Sequence, residues 1–152
     1  MPETEILFVE TRASEQRNLL CRWVERFYED GKRAQVAADS TMAAQVLDQL
    51  LWTFSQPSFI PHRIFTTRDV LPAVEPVVIT VGETPLEDFD VLVCDGPVHL
   101  ELMAHYPMVV HFVLVDDPEK KQESRMLWQT ARDRGFRLRH VPAAAGAGQR
   151  IH

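Results

Sequence analysis

Short apolar runs alternate along this chain with longer stretches in which apolar residues recur every three or four positions, the pattern of strands interleaved with amphipathic helices. Residues 6–10 (ILFVE) predict a first, buried strand. Ser14 offers an N-cap for a helix through Asp30, in which Leu20, Trp23, Val24 and Phe27 fall at helical spacing before Gly31 stops it. Residues 33–38 (RAQVAA) predict a second strand, and Asp39-Ser40 supply cap chemistry for a helix from about Thr41 to Thr53. Ala43, Val46, Leu47, Leu50 and Leu51 lie on one face of that helix. Residues 55–62 (SQPSFIPH) predict a loop, because two prolines do not both fit a regular element there.

Further along, residues 76–81 (PVVITV) and 91–94 (VLVC) predict strands separated by an acidic turn over 82–90. Residues 99–106 suit a helical turn or two, and residues 109–115 another strand. Asp117-Pro118 is a strong helix start, with an acid at the cap and proline at the first helical position. That helix is expected to run to Arg134, stop at Gly135 and release a last strand over 136–141. Strands alternating with helices, several of them unbroken apolar runs, give an α/β fold class with a largely parallel sheet. Residues 1–141 are expected to form one domain and residues 142–152, with the low-complexity AAAGAG, a flexible tail.

The 152 residues are 45% hydrophobic and 25% charged, values of a globular chain long enough to bury a core, which excludes wholesale disorder. The formal net charge of −6 argues against non-specific coating of nucleic acid. Its distribution says more. Residues 1–118 hold 8 Lys/Arg against 19 Asp/Glu (net −11), whereas residues 119–140 hold seven bases against three acids (net +4). An acidic body thus ends in a basic segment, an asymmetry suited to an anionic partner. Cys21 and Cys94, far apart and without a C-x-x-C partner, suit reduced thiols. Met1-Pro-Glu-Thr-Glu carries acids where a secretory signal carries bases, and the apolar stretch 108–115 is broken by His111. A soluble, cytoplasmic protein is expected.

No phosphate-binding loop, dinucleotide fingerprint, nucleophile elbow or H-E-x-x-H occurs. Cys94 and His99 are close in sequence, but a thiol ending an apolar strand reads as structural. One enzymatic alternative is a Mg²⁺-dependent phosphotransferase, because Asp39, Asp95 and Asp116/Asp117 each follow a predicted strand and could converge on a metal. The competing reading makes those aspartates helix caps and turn residues.

Lys121, Arg125, Trp128 and Arg132 are spaced by four, three and four, so they share one stripe of the last helix. Cations around an aromatic suit an acidic peptide ending in an apolar side chain and a free carboxylate. A solvated basic face with Trp128 leaning into the core fits the spacing equally well, and a phosphate backbone is a third candidate, disfavoured by the acidic body. Trp52, Phe54, Phe59 and Ile60 crowd the proline-bearing loop region, either as a satellite cluster over the sheet edge or as a protein-binding patch.

Several blocks, in order, resemble the chi subunit of bacterial DNA polymerase III holoenzyme. They are Gly31-Lys32-Arg33, Leu47-Asp48-Gln49-Leu50-Leu51-Trp52, Ser58-Phe59-Ile60-Pro61-His62, the VVHFV of 109–113, Lys121-Gln122 with Arg125, and Gly135-Phe136. The resemblance implies a single domain with a parallel-rich sheet and helices on both faces, like a Rossmann-type nucleotide-binding domain but without its phosphate loop. It implies no catalytic site, cofactor or metal of its own, and a role as an adaptor in the replisome, in the cytoplasm and associated with the nucleoid. Its partners would be the psi subunit, which tethers chi to the clamp loader, and the acidic, Phe-terminated tail of single-stranded DNA-binding protein (SSB). Direct nucleic-acid and membrane binding are not implied. The tail site of the family corresponds to Lys121, Arg125 and Trp128, the stripe that also holds Arg132. Where relatives can carry a further base after the aromatic, this chain has Gln129. The psi-facing surface corresponds to Trp52, Phe59 and Val113, and in some relatives it also serves a helicase.

Overall fold

Seven strands form one parallel sheet in the computed structural model, which describes residues 3–54, 59–66, 68–69 and 73–143. In chain order the elements are β1 (Glu5–Thr11), α1 (Gln16–Glu29), β2 (Ala34–Ala38), α2 (Thr41–Thr53), β3 (His62–Phe65), β4 (Val77–Val81), β5 (Val91–Cys94), α3 (Leu100–Met103), β6 (Met108–Leu114), α4 (Pro118–Asp133) and β7 (Arg137–Val141). The strand order is β3-β4-β2-β5-β6-β1-β7, every neighbouring pair parallel. The expected single α/β domain of Rossmann-like type is therefore the observed architecture.

Alternation along the strands sorts side chains onto two cores. Leu7, Val9, Val36, Ile79, Val93 and Val110 face α1 and α2, meeting Leu20, Trp23, Val24, Leu47 and Leu51. Ile6, Phe8, Val78, Leu92 and Val109 face the other way, meeting Leu100, Met103 and Tyr106 around α3 and Ala131 of α4. Burial on both faces explains why the central strands read as unbroken apolar runs. Gln35 is buried in the second layer and satisfied by Thr80, the Thr84 carbonyl and the Tyr106 hydroxyl.

Two of the departures from the predicted boundaries have a clear tertiary setting. Ser14 does not cap α1: the chain turns over 12–15, with Glu15 N–H donating to the Arg12 carbonyl, and the helix starts at Gln16 with no side-chain cap. His62 leaves the expected loop and opens β3, whose four residues pair with β4 at the sheet edge. Pro61 stands just before that strand, where its missing N–H removes no ladder bond. The expected loop residues 55–58 and tail residues 144–152 lie outside the described residues.

Candidate functional site

Helix α4 owes its start to its own sequence. Asp117 accepts a hydrogen bond from Lys120 N–H at 3.1 Å, and Pro118 takes a position whose N–H would find no helical partner. Ser124 and Ala131 are its fully buried residues, while Leu127 and Trp128 pack part-buried on the second core. The stripe predicted from spacing lies on one flank of that buried line: Lys121 and Trp128 are half-buried, Arg125 and Arg132 exposed.

Trp128 lies at the boundary between core and surface. One edge of its indole meets Phe8 of β1, with ring centroids 4.9 Å apart and planes at 71°. The same residue is part-buried rather than buried, so part of the indole faces solvent between the cations. Core packing holds the ring still, which is what a preformed apolar wall needs. Among the described residues, neither Arg125 nor Arg132 takes part in an ion pair. Their guanidinium donors remain available to a carboxylate. Gln129 turns its amide to Asp133 at 3.1 Å and adds no charge to the stripe.

Below the N-terminal half of the stripe sits a pair the sequence did not reveal. Glu10 of β1 lies 2.8 Å from His140 Nε2 of β7. That contact, the Ala143 N–H and the charge of Lys121 hold the Glu10 carboxyl below its usual range against the opposing effect of burial. The two residues are 130 positions apart, and only the parallel register of β1 and β7, which sets Phe8 beside His140, brings them together.

The other flank of α4 closes a cleft of about 310 Å³ at the carboxyl ends of β5 and β6, lined among others by Asp39, Asp95, His111 and Ser124. Of the aspartates expected to converge on a metal, Asp39 and Asp95 do line this cleft, but Asp95 is already paired and Asp116 and Asp117 are bound to backbone N–H groups. Asp95 is gripped by Arg17 through Nε (3.2 Å) and Nη2 (3.1 Å), Asp116 accepts from Ala13 N–H at 3.0 Å, and Asp117 caps α4. No group of three or more potential ligands gathers among the described residues. Cys94 is buried and its thiol pKa is pushed far up by desolvation, the condition of a structural thiol.

The aromatics around the second helix divide. Phe54 packs part-buried on the first core and Ile60 is buried in it. Trp52 and Phe59 remain 44% and 67% exposed, with ring centroids 5.4 Å apart. Trp52 also lies 4.2 Å from the His62 ring, which is buried and fixed by the Ile60 carbonyl (2.7 Å) and the Asp48 carbonyl (3.1 Å). The result is a braced aromatic step at the β3 edge. Val113 does not join it. It packs on the second core, across the sheet on β6, and its register partner is Glu10. Four strand spacings, about 19 Å, separate β6 from β3.

A family model described as DNA polymerase III chi subunit, HolC, matches residues 3–139. No curated protein matches the sequence. Solved structures match in fold, among them the crystal structure of T4 UvsW, at a TM-score of 0.66 and 7% identity over 92% of this chain. The chain spans 41% of the length of that protein, and the likeness is one of fold alone. No helix among the described residues is long and apolar enough to cross a membrane.

Proposed function

This chain belongs to the DNA polymerase III chi subunit family, and we propose that it is a non-catalytic adaptor that links the C-terminal tail of SSB to the clamp loader through the psi subunit. The observation that carries the first half is the exposed Arg125 and Arg132 on either side of Trp128, an indole braced against Phe8. An acidic segment ending in phenylalanine offers what this stripe lacks: carboxylates for the guanidinium donors and an apolar side chain for the indole wall. Lys121 extends the positive field toward β1, and the net +4 of residues 119–140 contrasts with the acidic body, which repels bare phosphate.

The braced pair Trp52 and Phe59 supports the second half. Two neighbouring aromatics that stay exposed beside a fixed histidine are an anchor of the kind that dominates protein interfaces. The surface lies at the β3 edge, far from α4, so both partners can be held at once. Psi is the occupant proposed, and a helicase would compete for the same step. The work of such an adaptor is done in the cytoplasm, at the replication fork.

A peptide held by two or three charge-assisted contacts and one aromatic wall should bind with micromolar affinity, about −8 kcal/mol. Titration of an SSB-tail peptide with a free C-terminal carboxylate, and of the same peptide amidated, tests the reading. Binding of the free peptide that weakens on amidation and with rising salt supports it. Equal binding of both peptides, or stronger binding of bare single-stranded DNA, overturns it.

A further inference from the structure

We propose that Glu10 is a built-in competitor for the acidic tail, an anion projecting from β1 toward the α4 stripe that limits tail affinity and is itself shielded by His140. The inference rests on the reading of the α4 stripe as the tail site.

The placement follows from strand register. Phe8 stands between His111 of β6 and His140 of β7, and Trp128 of α4 packs on its ring. Glu10 is two residues further along β1, so it projects from the same face of the sheet as Phe8, toward α4. It pairs in register with Val113, whose side chain offers no charge. His140 Nε2 donates to one carboxylate oxygen at 2.8 Å and Ala143 N–H to the other at 3.2 Å. Glu10 is therefore met by the imidazole from β7, by the charge of Lys121 from α4 and by an apolar side chain from β6. With its pKa held low by these contacts, Glu10 carries its charge at neutral pH.

Lys121 consequently meets an incoming carboxylate with one anion already in its field. Removing the Glu10 charge leaves the peptide sole use of that cation. Removing His140 strips the shield and increases the repulsion. The arrangement favours exchange of the tail over tight capture.

Calorimetric titration of a synthetic acidic, Phe-terminated peptide into the full chain decides it, using wild type, Glu10→Gln, His140→Ala, the double variant and Arg125→Ala. Two like charges facing one partly exposed site correspond to about a threefold change, so Glu10→Gln should bind about threefold more tightly. His140→Ala should bind about twofold more weakly, and that loss should vanish in the Glu10→Gln background, where no anion is left to shield. Melting temperature should fall slightly for both single variants, so a gain in affinity for Glu10→Gln is not a gain in folding. Unchanged or weaker binding by Glu10→Gln, or a His140→Ala loss that persists in the double variant, overturns the inference while the tail reading stands. A wild type that ignores the peptide, or an Arg125→Ala variant that binds as well as wild type, overturns both.

Discussion

His111 Nε2 lies 2.8 Å from the Ser124 hydroxyl, tying β6 to the buried line of α4. Burial alone pushes the imidazole pKa down to about 4, so the ring is neutral when the protein is folded. An unfolded histidine takes up its proton near 6.5, so between about pH 6.5 and 4 the unfolded chain binds more protons and stability falls as pH drops.

The contact should therefore be visible in acid. Wild type is expected to lose about 2–3 kcal/mol of stability between pH 7 and 4 through this residue, and His111→Gln to lose less of it. Ser124→Ala should cost about 1–2 kcal/mol at neutral pH, because a ring nitrogen loses its partner. Urea denaturation across the pH range reads both. Parallel pH profiles for wild type and His111→Gln would contradict this account of the α4 anchor.

Gly96, just past β5, has no room for a side chain. An added Cβ would stand 2.9 Å from the Asp39 Cβ, closer than real contacts allow. Gly96→Ala should destabilise the protein by about 1–3 kcal/mol while leaving tail binding intact, since the cleft lies on the opposite flank of α4 from the stripe. A denaturation midpoint matching wild type would show that the loop moves aside without cost.

At the β3 edge, Phe59 is 67% exposed, so its truncation removes little from the fold. Phe59→Ala is expected to weaken psi binding by about 2 kcal/mol or more, as central aromatic anchors do, with an unchanged melting temperature and unchanged tail affinity. Co-purification with psi and a parallel tail titration measure the two separately. Retention of psi by the variant would place the psi surface elsewhere.

How far these features are legible in the sequence depends on how local their signals are. Helices α2 and α4 announce themselves, since Ser40 and Asp117-Pro118 sit at their first turns and their caps form as the residue types require. The Lys121–Arg132 stripe follows from helical spacing, and strand alternation marks both cores. Strand β3 is different. Its four residues carry two polar side chains, and it is a strand because β4 offers a ladder, a tertiary condition invisible locally. Ser14 misleads for the same reason: Ala13 is drawn to Asp116, 103 residues away, and the turn it joins delays the helix to Gln16. The Glu10–His140 pair and the separation of Val113 from Trp52 both depend on strand order, which no spacing along the chain encodes. The family resemblance groups Val113 with the aromatic pair, and the structure sets it instead beside Glu10 under α4.

On the proposed function, α4 receives an acidic, Phe-terminated tail through guanidinium contacts beside Trp128. Arg125 tests it most directly, because the residue is exposed, forms no ion pair among the described residues and contributes nothing to the core. Calorimetric titration of the SSB-tail peptide into Arg125→Ala should show affinity reduced at least about tenfold, or 1.4 kcal/mol, with an unaltered melting temperature. Equal affinities for wild type and Arg125→Ala would contradict the account.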